Sequence, residues 1–324
     1  MVLECLASVI YCRKHQTLPL STLFVAGIVV YALGGNALSS PTEGVGDETA
    51  LVLAKVMSDI VDLLEAGKQV VVTHGNGPQV GHLLSLDPSQ PMDSWVAATQ
   101  GMIGHDLSIN LDSILQKRGR PERTAVVLTR VEVDPSDPGF QWPTKPVGPV
   151  LNSEQVMSLD WDIAETAIGP RRVVPSPLPM RILDIAVLSA LVEKHAVVIC
   201  GGGGGIPVVQ KKTHLSGVPA VIDKDRVSAL IAINLKAEAL IISTAVDAIR
   251  TNFGKDDEIV HSNLTVDQSM KYIAEGHFPS GSMGPKVGSL VEAAVHVPGL
   301  KSILCAPGQA IKALRGESGT TITN

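Results

Sequence analysis

Ala196-Val197-Val198-Ile199-Cys200-Gly201-Gly202-Gly203-Gly204-Gly205 is an apolar run that stops in five consecutive glycines. A short apolar run bounded by a glycine turn reads as a buried strand. The pattern recurs twice upstream. Gly34-Gly35-Asn36-Ala37 follows Ile28 to Leu33, and His74-Gly75-Asn76-Gly77 follows Val70-Val71-Val72-Thr73. Three strand-then-glycine units suggest parallel strands that deliver bare backbone amides to one anionic ligand. Glycine admits close approach and positive φ, and amides at a strand-to-helix turn hold negative charge.

Outward from these turns the chain alternates between strand and helix patterns. Residues 48–67 carry Leu51, Leu53, Val56, Ile60, Leu63 and Leu64 at helical spacing and stop at Gly67. Helices are also expected over 93–117, 181–194, 227–235, 265–276 and 287–297. Strands are expected over 26–33, 69–73, 124–133, 196–200, 239–244 and 302–305. Residues 134–175 break the rhythm. Pro135, Pro138, Pro143, Pro146 and Pro149 exclude a helix or a central strand, and Pro175, Pro177 and Pro179 close the segment. It reads as a loop or small lobe leaving the main sheet. The βαβ rhythm implies an α/β fold: a mostly parallel sheet with helices on both faces and ligands at the strand C-termini.

Composition agrees. Of the 324 residues 45% are apolar but only 3% aromatic, so Val, Ile, Leu and Ala must fill the core, as in buried parallel strands. A net charge of −6 argues against a broad nucleic-acid surface. Cys5, Cys12, Cys200 and Cys305 lack metal-type spacing and suit a reducing, cytoplasmic setting. Leu18 to Leu33, behind Arg13-Lys14, has some character of a secretory signal or anchor. Cleavage there would remove the first strand, so the strand reading is preferred and residues 1–22 are read as an extension before a domain over 23–324. No other run approaches membrane-spanning length without charges.

Candidate chemistry follows from the turns and from lysines. Gly34, Gly35, Asn36, Gly75, Asn76 and Gly77 could form an anion hole, although Asn-Gly is also a common turn dipeptide. Lys224 stands between Asp223 and Asp225, and Lys286 follows Gly281-Ser282-Met283-Gly284-Pro285 where a helix opens. Lys145 lies on the excursion; it could reach into a cleft as a lid residue or merely sit in a proline-stiffened loop. Asp223 and Asp225 could orient Lys224 or hold a metal through water; Asp225 could equally cap a helix. No histidine pair, serine elbow or cysteine motif suggests zinc or nucleophilic catalysis.

The chain resembles carbamate kinase, in the amino acid kinase superfamily, over residues 28–323. The resemblance rests on Ala32 to Leu38, Thr73 to Gly81, Gln100 to Gly104, Pro143 to Gly148, Arg171 to Pro177, Gly202 to Pro207, Ala220 to Asp225, Asn252 to Lys255 and Gly281 to Val287. It implies a three-layer αβα sandwich with a small protruding subdomain at about 134–175, and a homodimer. It also implies reversible, Mg²⁺-dependent phosphoryl transfer between ATP and carbamate, giving carbamoyl phosphate and ADP. On that likeness Gly34, Gly35, Asn36, Gly75, Asn76 and Gly77 hold the carbamoyl phosphate side. Lys224 and Lys286 sit on the transferring phosphates, Lys145 is the lid lysine, and Asp225 organises the lysines. Gly202, Gly203, Thr244, Asp247 and Gly284 fall to the nucleotide. The sequence departs from the family at Ala245, where an aspartate is usual. It departs again at Met102 and His105, where aromatics are common, and at Trp142, where Asn is usual. These departures leave open a kinase for another small acid, or a paralogue that binds without turnover.

Overall fold

The computed structural model describes residues 27–34, 46–166, 168–279 and 281–324. The 1–22 extension, Gly35 and Asn36 lie outside the described residues. The first half contains β1 (Ile28–Leu33), α1 (Gly46–Glu65), β2 (Gln69–His74), α2 (Gly77–Leu86), α3 (Met92–Lys117), β3 (Thr124–Val126) and β4 (Arg130–Val133). The excursion holds β5 (Lys145–Val147), α4 (Ser153–Ser158), β6 (Ile163–Thr166) and β7 (Gly169–Val174). Next come β8 (Pro179–Ile182), α5 (Ile185–Glu193), β9 (Val197–Ile199), β10 (Ile206–Gln210), β11 (Leu215–Gly217), α6 (Lys224–Asn234) and β12 (Ala239–Ser243). The chain closes with β13 (Ile249–Thr251), β14 (Ile259–His261), β15 (Asn263–Thr265), α7 (Val266–Ala274), α8 (Met283–His296), β16 (Lys301–Cys305), α9 (Ala310–Leu314) and β17 (Thr320–Thr323).

Eight strands form the central sheet in the order β15-β17-β16-β12-β1-β2-β9-β3. Among the described residues every pairing in it is parallel except β16 with β17. Its strands are apolar on both faces because both faces are covered. In β1, Val29, Tyr31 and Leu33 point into a core with Val56, Met57 and Ile60 of α1 and Leu107 and Leu111 of α3. Val30 and Ala32 point the other way, against Leu188 of α5, Ile231 of α6 and Leu290 of α8. The two-residue period of the strand thus builds both layers of helix packing from one hexapeptide.

Asp59 of α1 ties one of these layers together. Its carboxylate accepts from Tyr31 Oη (2.8 Å) and from the Gly308 and Ala310 N–H groups (2.7 and 2.9 Å) at the start of α9. Burial pushes its pKa up, against those hydrogen bonds.

The excursion is structured. β5, β7 and β6 form an antiparallel sheet, a small subdomain docked on α2. Val147 and Val174 pack with Val80, Leu84, Val96 and Val221. Gly81 lets the two backbones meet: a Cβ there would sit 2.0 Å from Gly148 N. Arg171 closes the β5 turn by donating to the Gly148 carbonyl (2.7 and 3.1 Å).

Three segments differ from the sequence expectation. Residues 124–133 form two strands rather than one, because Gln100 takes the Thr129 N–H (2.8 Å) and turns the chain out of the central sheet. β4 then joins a second sheet, in the order β11-β10-β4-β8. The expected helix at 181–194 starts only at Ile185; Pro179–Ile182 is a strand paired with β4, held by Arg181 on Glu132 (2.8 Å). Helix α8 begins at Met283, four residues before the expected 287, so Lys286 lies inside its first turn.

Candidate active site

Parallel register brings the C-terminal ends of β12, β1, β2 and β9 to one edge. Leu33 lies between Ser243 and His74, and Val72 is beside Ile199. Ligands of open α/β sheets bind at this edge, where the strand order runs away in both directions. Gly34 sits against β12: its N–H donates to Ser243 O (3.0 Å), and a Cβ would lie 3.7 Å from Thr244 Cα. Two of the sequence candidates, Gly34 and Thr244, are therefore neighbours.

Beside this edge three lysines and two aspartates converge. Lys224 and Lys286 both donate to Asp225, Lys286 at 2.9 Å to Oδ2 and Lys224 to Oδ1. Lys145 reaches from the small subdomain to Asp223 Oδ2 (2.6 Å). The other oxygen of Asp223 caps α6, accepting from the Asp225 N–H at 2.9 Å. The helix cap is thus Asp223; Asp225, the capping alternative in the sequence, is given wholly to lysines. Ser228 anchors the arrangement below, donating to Lys224 O (2.6 Å) while accepting from Thr73 Oγ1 (2.6 Å). Sequence reading gave no role to Thr73, Ser228 or Gln100: Thr73 and Gln100 lie within segments that carry the family resemblance, and Ser228 lies in none.

The electrostatics are those of an anion site. Lys224 is 7% exposed and Asp225 2%. Burial lowers the Lys224 pKa despite the Asp225 carboxylate beside it. Lys286 is less enclosed; burial works against its charge, but Asp225 and Asp223 raise it above the usual lysine value. Burial would raise both aspartates, yet Lys145 on Asp223 and Lys224 and Lys286 on Asp225 hold them below the usual carboxylate range. Three ammonium groups against two carboxylates leave one net positive charge, at the N-terminal ends of α6 and α8. Helix N-termini add further positive potential.

The five-glycine turn closes the floor. Gly201, Gly203, Gly204 and Gly205 have positive φ. Gly202 and Gly203 are filled by protein: a Cβ on Gly202 would meet His74 Cε1 and Nε2 at 2.4 Å, and one on Gly203 would meet Asn76 Nδ2 at 2.1 Å. Asn76 in turn donates to Thr99 Oγ1 (2.9 Å), and Gln100 Nε2 to Gly202 O (2.9 Å). Gly77 opens α2, and its carbonyl accepts from the Gly148 N–H (3.1 Å), beside the small subdomain.

Beyond Thr244 lies a mostly apolar cavity of about 160 Å³, lined among others by Val246, Ala248, Phe253, Phe278 and Met283, with Arg250 on its wall. Gly284 adjoins it, donating to Pro279 O (2.9 Å). Asp247 is exposed and pairs with Arg250 (2.7 Å), which also holds Glu258 (2.6 Å). A larger cavity, about 880 Å³, opens at the opposite edge of the sheet among Gln69, Glu193, Lys236, Glu238 and His296, away from the lysines. Met102 and His105 are exposed on α3, on the face opposite Ile103 and Leu107. They therefore do not line the lysine cluster. The described residues hold no cluster of three potential metal ligands. With Asp223 and Asp225 engaged by lysines, the donor set fits phosphate oxygens, and a Mg²⁺ ion would rest mainly on the nucleotide and water.

This geometry offers a net-positive site for an anion at the C-terminal edge of an α/β sheet. The model of the Amino acid kinase family matches residues 27–299. Carbamate kinase of Thermococcus kodakarensis is 41% identical over 310 residues, covering 91% of this chain and 98% of the relative. The carbamate kinase-like protein YqeA of Escherichia coli is also 41% identical, over 311 residues and the same shares. Carbamate kinase from Giardia lamblia bound to AMP-PNP superposes with a TM-score of 0.82 at 35% identity, covering 92% of this chain and 99% of that one. The chain belongs to the amino acid kinase family and, within it, to the carbamate kinase family. It is accordingly a phosphotransferase of the kinase class that binds nucleotide.

Proposed function

We propose that this protein is a carbamate kinase, catalysing reversible phosphoryl transfer between ATP and carbamate to give carbamoyl phosphate and ADP. The observation that carries the reading is the cluster of Lys145, Lys224 and Lys286 on Asp223 and Asp225. In the direction of carbamoyl phosphate synthesis a carbamate oxygen bonds to the γ-phosphorus while the bond to the bridging oxygen breaks, and ADP leaves with that electron pair. Carbamate is already an oxyanion, so no proton need be removed. The work left to the protein is alignment and charge neutralisation. Lys224 and Lys286, fixed by Asp225, face the transferring phosphoryl group. Lys145 closes over it from the small subdomain. Gly34, Gly35, Asn36 and the Gly75–Gly77 turn take the carbamoyl end. Mg²⁺ accompanies the nucleotide and offsets its phosphate charge.

The nucleotide belongs, on this reading, along Thr244, Asp247 and Gly284, with its base in the apolar cavity; Gly202 and Gly203, which the family resemblance gave to the nucleotide, are packed against His74 and Asn76 and on this reading do not contact it. At about 160 Å³ that cavity is base-sized, against about 300–1,000 Å³ for whole-ligand pockets. Ala245 stands exposed at its approach, where the family usually has aspartate. The working direction we assign is toward ATP, in amino-acid or purine catabolism, in the cytoplasm. The free, buried thiols of Cys200 and Cys305 suit that compartment. A homodimer is part of the proposal: β3 is an edge strand, and Met102 and Ile109 of α3 and Leu128 just after β3 are all more than half exposed.

The test is a coupled assay for ATP from carbamoyl phosphate, ADP and Mg²⁺. Steady ATP formation is expected. Its absence, with turnover of another acyl phosphate in a substrate panel, would transfer the site to a different small acid.

A further inference from the structure

Two side chains, one at the end of β2 and one in the Gly75–Gly77 turn that follows it, are keyed into two successive glycines of a distant turn. His74 enters the space above Gly202 and Asn76 that above Gly203. His74 is 1% exposed, and its Nδ1 lies 2.9 Å from the Gly75 carbonyl oxygen. A carbonyl only accepts, so Nδ1 carries the proton and the ring is the Nδ1–H tautomer with Nε2 bare. Thr73, the preceding residue, is joined through Ser228 to the backbone of Lys224. The imidazole therefore stands at the junction of the acyl-phosphate turn, the five-glycine turn and the lysine helix.

We propose that His74 is a positioning residue for the acyl-phosphate side of the site: a neutral imidazole that fixes the Gly75 peptide and, with Gly202, sets the direction in which the Gly75–Gly77 turn faces the ligand. The inference rests on the reading of that turn as an acyl-phosphate site. Among the described residues, Lys224 is the charged group acting on the ring. An added proton on Nε2 would place a second cation there, with no carboxylate facing it. Burial holds the pKa down at about 4, assisted by Lys224 and opposed by the Gly75 carbonyl, so the ring stays neutral across the working range. A histidine here serves by shape and by one N–H, not by titrating.

The substitutions separate these features. His74→Asn places an amide near Nδ1 and can keep the donation to Gly75 O, whereas His74→Ala removes both ring and donor. Gly202→Ala attacks the same contact from the other side. The experiment measures equilibrium binding of acetyl phosphate and, separately, of ADP, together with thermal stability. Acetyl phosphate affinity is expected to fall at least about tenfold in His74→Ala and Gly202→Ala, and less than about threefold in His74→Asn, with ADP affinity unchanged. In the double variant the new methyl has room, so its loss is expected to be smaller than the product of the single losses. Equal weakening of both ligands in step with stability, or unchanged acetyl phosphate binding in His74→Ala, overturns the proposal. Wild-type turnover of carbamoyl phosphate alongside such a result leaves the carbamate kinase reading intact. The expected binding pattern without turnover sinks that reading and keeps this one.

Discussion

Two regions meet at the C-terminal edge of the sheet and differ in kind. The lysine–aspartate cluster has an excess of charge that the protein does not neutralise. The five-glycine turn has no such excess, and the space left by its missing side chains is filled by His74, Asn76 and the Ile222 carbonyl. Both look like ligand elements in the sequence. The structure separates them by asking what stands opposite each group. An unbalanced ammonium calls for an anion, whereas a glycine against a side chain calls for close packing. Damage to the first region should therefore strike turnover before folding, and damage to the second, apart from the Gly202 contact with His74, should strike folding before turnover.

The strongest attempt to break this contrast removes a lysine. Lys224→Ala and Lys286→Ala should each raise the barrier by about 2–4 kcal/mol, a loss of roughly 30-fold to 10³-fold in kcat, by analogy with deleted transition-state donors. Lys286 is the cleaner case, because its side chain is 18% exposed and its loss leaves Asp225 still paired with Lys224. Single-turnover kinetics alongside thermal unfolding check it. A Lys286→Ala enzyme that unfolds readily but turns over normally when folded would reverse the assignment.

The converse test is Gly204→Ala. Its φ is +86°, and a Cβ would meet Ile222 O at 2.1 Å, two residues before Lys224. Strain and a backbone clash together should cost about 2–3 kcal/mol of stability. Gly77→Ala is the control: nothing lies nearer than Pro146 O at 3.8 Å, so stability should hold while KM for carbamoyl phosphate rises. Chemical denaturation and steady-state kinetics on the pair decide the matter, and equal loss of stability in both would erase the distinction.

The contrast also shows what could be read without coordinates. β1, β2, β9 and β12 were legible because burial on both faces makes each a continuous apolar run. Lys145 on Asp223 was not, since the pair is separated by 78 positions and is joined only by folding of the small subdomain. The division of labour between Asp223 and Asp225 was equally hidden. Either could cap α6 by spacing, and only the approach of α8 with Lys286 claims Asp225 for charge. The strand break at Thr129 depends on Gln100, a residue on another element whose partners no local pattern reveals. Strands such as β10 and β11 are short and owe their form to partners rather than to composition.

Acidity gives a third, smaller probe of the cluster. Asp223 and Asp225 lie below the ordinary carboxylate range. The stability they contribute is complete above the unfolded value near about 4 and is lost as pH falls through the depressed folded values. Lys286, held above its ordinary value, contributes stability that is lost only as pH climbs past about 10.4. Lys224 runs the other way: burial lowers it, so of these two lysines it yields its proton first. The alkaline limb of kcat/KM should accordingly fall below the ordinary lysine value and disappear in a residually active Lys224→Arg enzyme. A limb at or above that value would show that Lys224 is not the titrating group.

The smallest effect concerns left-handed backbone outside the glycine turn. His195 (φ 58°) and Lys236 (φ 49°) end α5 and α6 in a conformation that glycine adopts without strain. Both are exposed, and the Ala196 and Ala237 N–H groups after them fold back onto Leu191 O and Ala232 O, which fixes the geometry. Here a non-glycine residue is tolerated because its side chain projects into solvent, whereas at Gly204 the same handedness is combined with a facing carbonyl. His195→Gly and Lys236→Gly should therefore each stabilise the fold by a few tenths to about 1 kcal/mol, the relief of left-handed strain less the added freedom of the unfolded chain. Differential scanning calorimetry should show Tm rising by roughly half a degree to one and a half degrees with kcat unchanged. If either substitution lowers Tm, handedness alone does not explain why the buried turn requires glycine, and the weight shifts to the Ile222 carbonyl.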